Sequence, residues 1–377
     1  MRTVPETQNS SVVWAAGVVA GIPALLLIGF ALADPSAAGP RLAAEFHRGV
    51  NHAHMHRRGR GYGSQISAGQ LAELRRIGVD SIAITPFAYQ HGAMSDQLAG
   101  FTGRGGDTEF FSGTDSTMTD ADIADEARHA HDLGMRVVLK PHIWSNDFWG
   151  AGEWHGTVRQ RSAEAHEKWW SSYRAFILHY ARMAERSGIE VYCVGTELVK
   201  MTTGYPRQWR RLIADVRREY RGALTYCAHH DEEFEKIEFW QDFDYIGLSA
   251  YFPLDAPPSA DTARLAKAWQ PHRKRIAAVA RQAGKPVLFL EVGYRPVSDT
   301  HRKPWRYTGG TFDLDAQRRA YEAMFVSLSD APWWKGVYFW KTFTSPRRRS
   351  RKVPAETFTF RDRPAEQVVA EWFGAGD

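Results

Sequence analysis

Val191-Tyr-Cys-Val-Gly-Thr-Glu-Leu198 and Val287-Leu-Phe-Leu-Glu-Val-Gly-Tyr294 are two short apolar runs, each carrying a glutamate near its end. Runs of this length and composition read as buried strands. A carboxylate at such a strand end is costly unless it is paired, solvated or used for chemistry. Strands of one parallel barrel bring their carboxy-terminal ends to a common mouth. Glu197 and Glu291 would then face one pocket, and two carboxyls facing a pocket are the equipment for cleaving a glycosidic bond.

From about residue 46 the same kind of run alternates with amphipathic stretches, the pattern of an α/β fold. Strands are expected at 46–51, 81–87, 136–143, 190–198, 223–228, 245–252, 286–294 and 336–343. That makes eight, the number a closed barrel needs. Helices are expected at 68–77, 120–133, 164–187, 205–220, 262–283 and 315–329. Gly78, Gly134, Gly188, Gly222 and Gly284 stand just before the next strand, where helices stop in a left-handed turn. The segments 88–119, 145–161 and 295–311 follow strands and are long; in a barrel such loops build the substrate face. The expected architecture is a single (β/α)8 TIM barrel over residues 46–377. An open doubly wound sheet is the alternative, but no Gly-rich dinucleotide turn follows the first strand.

Residues 7–33 contain no charge, and 12–32 are almost wholly apolar, with Arg2 ahead and Ala31-Leu32-Ala33 offering a small-x-small cleavage pattern. This reads as a secretory signal peptide or an uncleaved membrane span over residues 1–33, with 34–45 as linker. Either way the catalytic part is expected to be exported: secreted, periplasmic or anchored outside the cell membrane. The net charge is +5, and Pro346-Arg-Arg-Arg-Ser-Arg-Lys352 reads as a solvated loop. Without an aromatic-interleaved basic stripe, no nucleic-acid partner is expected. Aromatic residues make up 13% of the chain, with 14 Trp, which serve either as sugar-stacking platforms or as core filling. Cys193 and Cys227, the two cysteines, read as buried strand thiols, with a disulfide between neighbouring strands as the alternative.

The chain resembles glycoside hydrolase family 113, a β-mannanase family, within the clan of retaining (β/α)8 glycosidases. The matching stretches are Arg48-Gly-Val-Asn51, Val138-Leu-Lys-Pro-His-Ile-Trp144, Val194-Gly-Thr-Glu-Leu198, Ile246-Gly-Leu-Ser-Ala-Tyr251, Phe289-Leu-Glu-Val-Gly-Tyr294, Gly336-Val-Tyr-Phe-Trp340 and Phe358-Thr-Phe-Arg-Asp-Arg-Pro-Ala-Glu366. The resemblance implies Glu197 as acid/base, Glu291 as nucleophile, no cofactor or metal, and β-1,4-mannan or its oligosaccharides as substrate. Many relatives in the clan carry Asn before the acid/base, holding the sugar 2-hydroxyl. Here Thr196 stands in that place, with a shorter reach.

Tyr251, at the end of the sixth strand, can orient Glu291, and Trp340 on the eighth can floor the sugar pocket. Lys140 and His142 close the third strand, and Lys140 either meets substrate or pairs with a structural acid. Asn51, His52 and Tyr294 complete the expected sugar contacts, and Trp144, Trp149 and Trp154 are candidate stacking platforms. Two rival readings remain open. His52-Ala-His-Met-His56 after the first strand resembles the His-x-His of metal-dependent amidohydrolases, with His229 and His230 as further ligands; that set lacks a His after strand six and an Asp after strand eight. The other is a carbohydrate-binding barrel without chemistry, against which the two costly glutamates argue. No Gly-x-Ser-x-Gly elbow is present for a serine hydrolase.

Overall fold

Aliphatic and β-branched runs too short to satisfy themselves as helices pair side by side, and here eight of them close on one another. The computed structural model describes residues 42–98, 118–145, 147–148, 152–346 and 357–374. In chain order the elements are β1 (His47–Ala53), α1 (Gln65–Arg76), β2 (Ser81–Ile84), β3 (Phe87–Tyr89), α2 (Asp120–Asp132), β4 (Arg136–Leu139), β5 (His142–Trp144), α3 (Ala163–Arg186), β6 (Val191–Thr196), α4 (Val199–Gly204), α5 (Pro206–Glu219), β7 (Ala223–His229), α6 (Glu233–Lys236), β8 (Ile246–Ser249), α7 (Thr262–Ala283), β9 (Val287–Val292), α8 (Leu314–Leu328), β10 (Trp334–Phe343) and α9 (Pro364–Phe373). Strands β1, β2, β4, β6, β7, β8, β9 and β10 form a closed parallel barrel, so β1 pairs with both β2 and β10. The expected runs 81–87 and 136–143 each divide in two, and their ends, β3 and β5, pair in a small parallel sheet beyond the barrel rim.

Alternation sorts the side chains into two cores. Ala83, Val138, Val191, Cys193, Cys227, Leu288, Leu290 and Tyr338 pack together inside the barrel. The opposite faces, such as Val50, Val137, Tyr192, Val194 and Phe289, join the larger cluster beneath the helices. Fully buried Trp169, Trp209 and Trp269 belong to that outer layer, so part of the tryptophan content is core filling. Cys193 and Cys227 are both free and buried.

The helix ends follow local chemistry. Ser64, Thr119, Ser162, Asp261 and Asp313 cap helix starts with their side chains, satisfying orphan N–H groups. Gly78, Gly134, Gly188 and Gly284 have the expected positive φ, but Gly222 does not. The helix before Gly222 ends on extended Tyr220, and a Cβ at Gly222 would lie 2.1 Å from the Tyr220 hydroxyl. That glycine is there for a close approach, not for a left-handed turn.

Gly49 shows how tightly the barrel interior is filled. A Cβ there would meet the Tyr338 ring at 2.4 Å. Tyr338 cannot swing away, because its hydroxyl bonds His47 Nδ1 at 2.7 Å and Ser81 Oγ at 2.6 Å. Gly49→Ala is therefore expected to destabilise the fold by about 1–3 kcal/mol, the usual cost of overpacking, read as a lower urea midpoint.

Among the described residues no helix is long and apolar enough to cross a membrane. The expected signal or anchor segment at residues 1–33 lies outside the described residues, as do Trp149, positions 99–117 of the first long loop and positions 347–352 of the basic run.

Candidate active site

The carboxy-terminal ends of the strands carry the polar residues that the interior cannot hold. Register shifts occur there in β6 between Cys193 and Thr196, in β8 between Leu248 and Ser249, and at the end of β9, between Phe289 and Val292, where it pairs with Val337 and Phe339 of β10. Such irregularities re-aim side chains at barrel rims.

Glu291, the penultimate residue of β9, is 7% exposed. One of its oxygens is in direct contact with the Lys140 ammonium and lies 3.5 Å from His142 Nε2. The other accepts from the Tyr251 hydroxyl at 3.4 Å. Lys140 is fully buried. Its ammonium also lies 3.5 Å from the Leu290 carbonyl and 5.4 Å from the centre of the Trp340 ring. The sequence left Lys140 between substrate and a structural acid, and the acid it meets is Glu291 itself.

Glu197 directly follows β6 and sits in the left-handed region at φ 52. For a non-glycine residue this conformation costs about 1–3 kcal/mol and is found mainly where function demands it. Its N–H donates to the Cys227 carbonyl at 2.8 Å. Burial and, next, the negative charge of Glu291 push its carboxyl up to about 8; Glu233 acts in the same direction, while Ser249 and Lys140 pull it down. Ser249 stands opposite Glu291 in the β8–β9 register, so one serine borders both carboxyls.

Trp340 forms the aromatic wall. His142 stacks parallel to it at 6.2 Å, Lys341 lies 4.5 Å over its ring, and its Nε1 donates to the Tyr307 hydroxyl at 3.2 Å. Tyr251, Trp340 and Phe358 cluster apart from both cores, and Tyr307 packs on Phe358 at 5.0 Å. Among the described residues, buried Thr196 has no hydrogen-bond partner for its hydroxyl. Trp154 packs against His229 at 4.8 Å, and half-exposed Trp305 stacks on His230 at 5.2 Å. Trp144 ends β5 half-buried, 6.4 Å from Phe87.

Glu197, Glu291, Lys140, His142, Thr196, Tyr251 and Trp340 thus belong to the strand-end region the sequence assigned them. Three other expected contacts are placed differently. Asn51 lies deeper, donating to the Leu290 and Tyr338 carbonyls at 2.9 and 3.0 Å. His52 points to the helix layer, with Nδ1 3.1 Å from Thr342 Oγ1 and Nε2 3.1 Å from Ser67 Oγ and 3.4 Å from Glu126. Neighbours on a strand face opposite ways, so Asn51 and His52 cannot share the mouth. Tyr294, fully buried, packs on Tyr321 of α8 at 5.5 Å in the outer core. Three residues beyond Glu291, it falls on the opposite face.

The metal reading loses its first ligand in the same way, since both His52 nitrogens are used by protein partners. Among the described residues no group of three or more His, Cys, Asp or Glu is placed to hold a metal ion. Ser249, Tyr307, Phe358 and the buried Glu233 escaped the sequence reading. Ser249 carried a signal, being two residues before Tyr251 and hence on the same strand face.

Comparison with known proteins bears on the fold and the family. Among solved structures, the chain is similar to the family 113 β-mannanase AaManA from Alicyclobacillus acidocaldarius, in complex with ManMIm. The two share 30% identity over 88% of this chain and 97% of that one, with a TM-score of 0.74. A further family 113 β-1,4-mannanase, at 23% identity over 88% and 99% of the two chains, gives a TM-score of 0.72 and shows the fold alone. A family 5 mannosidase from Rhizomucor miehei, at 12% identity over 90% and 97%, gives 0.55. Comparison with curated proteins finds no match. The sequence model of Glycoside Hydrolase Family 113 matches residues 50–362, most of the chain, which therefore belongs to that family and is a glycoside hydrolase.

Proposed function

We propose that this enzyme hydrolyses β-1,4-linked mannan or manno-oligosaccharides with retention, Glu291 attacking the anomeric carbon and Glu197 acting as acid, then base. The observation that carries the division of roles is the contrast between the two carboxyls. Glu291 faces an ammonium and a phenol, the surroundings of a nucleophilic carboxylate. Glu197 is held protonated at neutral pH by burial and by the charge of Glu291, as a general acid must be. In the first step Glu291 displaces the leaving sugar while Glu197 gives that oxygen its proton. In the second, Glu197 takes a proton from water, which attacks the glycosyl-enzyme and frees Glu291. The Thr196 hydroxyl, without a hydrogen-bond partner among the described residues, is placed to meet a sugar hydroxyl, and Trp340 an apolar sugar face.

The pH dependence follows from the sign of the Glu197 shift. As pH rises through about 8, Glu197 ionises and loses the proton it must donate, so kcat/KM is expected to fall along a single-proton alkaline limb centred near that value. A profile flat through pH 9 contradicts the assignment.

Mannan specificity is supported by the 30% identical β-mannanase. Its test is reducing-sugar release from β-mannan, glucan, xylan and galactan by the full-length chain. Release from mannan alone is expected, and release from another polymer alone replaces the substrate while keeping the chemistry. The charge-free stretch 7–33 supports an exported catalytic domain, and cell fractionation showing it in the cytoplasm contradicts that part of the proposal.

A further inference from the structure

Behind Glu197 lies a second buried acid that the reaction above does not use. Glu233, the first residue of α6, is fully buried. One of its oxygens accepts from the Tyr226 hydroxyl at 2.8 Å and the Thr202 hydroxyl at 2.6 Å, and the other accepts from the His229 N–H at 2.6 Å. The Tyr226 hydroxyl has one proton, and its hydrogen bond to Glu233 uses it. Its lone pairs are thereby turned toward the Leu198 N–H, which donates to it at 2.5 Å.

The peptide groups on both sides of the Glu197 Cα are thus tied to consecutive residues of β7. The Glu197 N–H goes to the Cys227 carbonyl and the Leu198 N–H to the Tyr226 side chain. Where the chain leaves the ladder for its left-handed turn at Glu197, a phenol replaces the next backbone acceptor. Tyr226 itself is wedged: its ring lies 5.2 Å from Trp209, and a Cβ at Gly195 would come within 3.0 Å of it.

We propose that Glu233 and Tyr226 are a positioning pair for the acid/base, the carboxylate orienting the phenol and the phenol fixing the peptide that aims Glu197. The proposal rests on the assignment of Glu197 made above. Neither residue touches substrate; they act through the placement of one proton donor.

Misplaced acid catalysis has a signature that general loosening of the fold lacks. A phenyl leaving group needs the proton of Glu197 as its bond to the anomeric carbon breaks, whereas 2,4-dinitrophenolate departs without it. The experiment measures kcat/KM of Tyr226→Phe and Glu233→Gln on phenyl and 2,4-dinitrophenyl β-mannobiosides, with circular dichroism as a check of folding. Both variants are expected to lose roughly 10- to 100-fold on the phenyl substrate, the scale of a small misplacement, and to keep near wild-type rates on the dinitrophenyl one. Equal losses on the two substrates, no loss on either, or unfolding of both variants overturns the proposal. If only one variant folds, its ratio between the two substrates decides. A wild-type chain that cleaves neither mannobioside defeats the functional reading and this inference with it, whereas an active wild type with an unselective loss in the variants defeats the inference alone.

Discussion

Glu291→Gln is expected to abolish turnover, lowering kcat by roughly 10⁴-fold or more, because the atom that forms the covalent bond is gone. The substitution is chosen for what surrounds it. Glu291 is the acid partner of a fully buried lysine, and a Gln carbonyl still accepts from that ammonium. Glu291→Ala leaves Lys140 with the Leu290 carbonyl at 3.5 Å and the face of Trp340. Stripping one partner from a buried ion pair costs about 3–5 kcal/mol, so the alanine variant is expected to be both inactive and markedly easier to unfold in urea. The two variants separate chemistry from folding: the same loss of activity, with very different midpoints. An active Glu291→Gln enzyme would falsify the nucleophile assignment.

Glu197→Ala carries the second-largest expected effect, a loss of roughly 10²–10⁴-fold on polysaccharide, the range that a positioned acid/base contributes. The loss should depend on the step observed. With a dinitrophenyl leaving group the first step needs no proton, so the glycosyl-enzyme forms and then waits for a base that is missing. Azide, which attacks without giving up a proton, is expected to restore turnover and to appear in the product as a glycosyl azide of retained configuration. The alkaline limb near pH 8 should vanish in the same variant, since Glu197 is the group whose ionisation it reports. Full activity on unactivated substrate, or no response to azide, removes Glu197 from the acid/base role.

Both glutamates were legible in the sequence because a charge at the end of an apolar run has few inexpensive explanations. The barrel was legible because eight runs alternate with helices, and those eight strands close on one another. Strand alternation also decides which expected contacts fail to reach the mouth. Asn51 and His52 are neighbours and cannot both face inward, and Tyr294 lies three residues from Glu291 and so faces the outer core. The pairing of Lys140 with Glu291 needed the third dimension, since 151 positions separate them. Glu233 was illegible for another reason. Phe234 beside it is apolar and buried, but the acids and base around it, Glu232, Glu235 and Lys236, lie on the surface, and only the fold of α6 against β7 and α4 turns Glu233 inward to Tyr226 and Thr202. The segment from 305 to 307, with Trp305 on His230 and Tyr307 on Trp340, belongs to a long loop, whose sequence lacks the periodicity that reveals direction.

The most direct test of a double displacement on Glu291 is to trap its intermediate. A 2-deoxy-2-fluoro-β-mannobiosyl fluoride slows both steps but carries a leaving group that departs readily, so the glycosyl-enzyme accumulates. Peptide mass spectrometry of the inactivated enzyme should then place one fluoromannobiosyl unit on Glu291, with none on Glu197. A label on a different residue, or slow turnover with no label and release of the opposite anomer, contradicts the account.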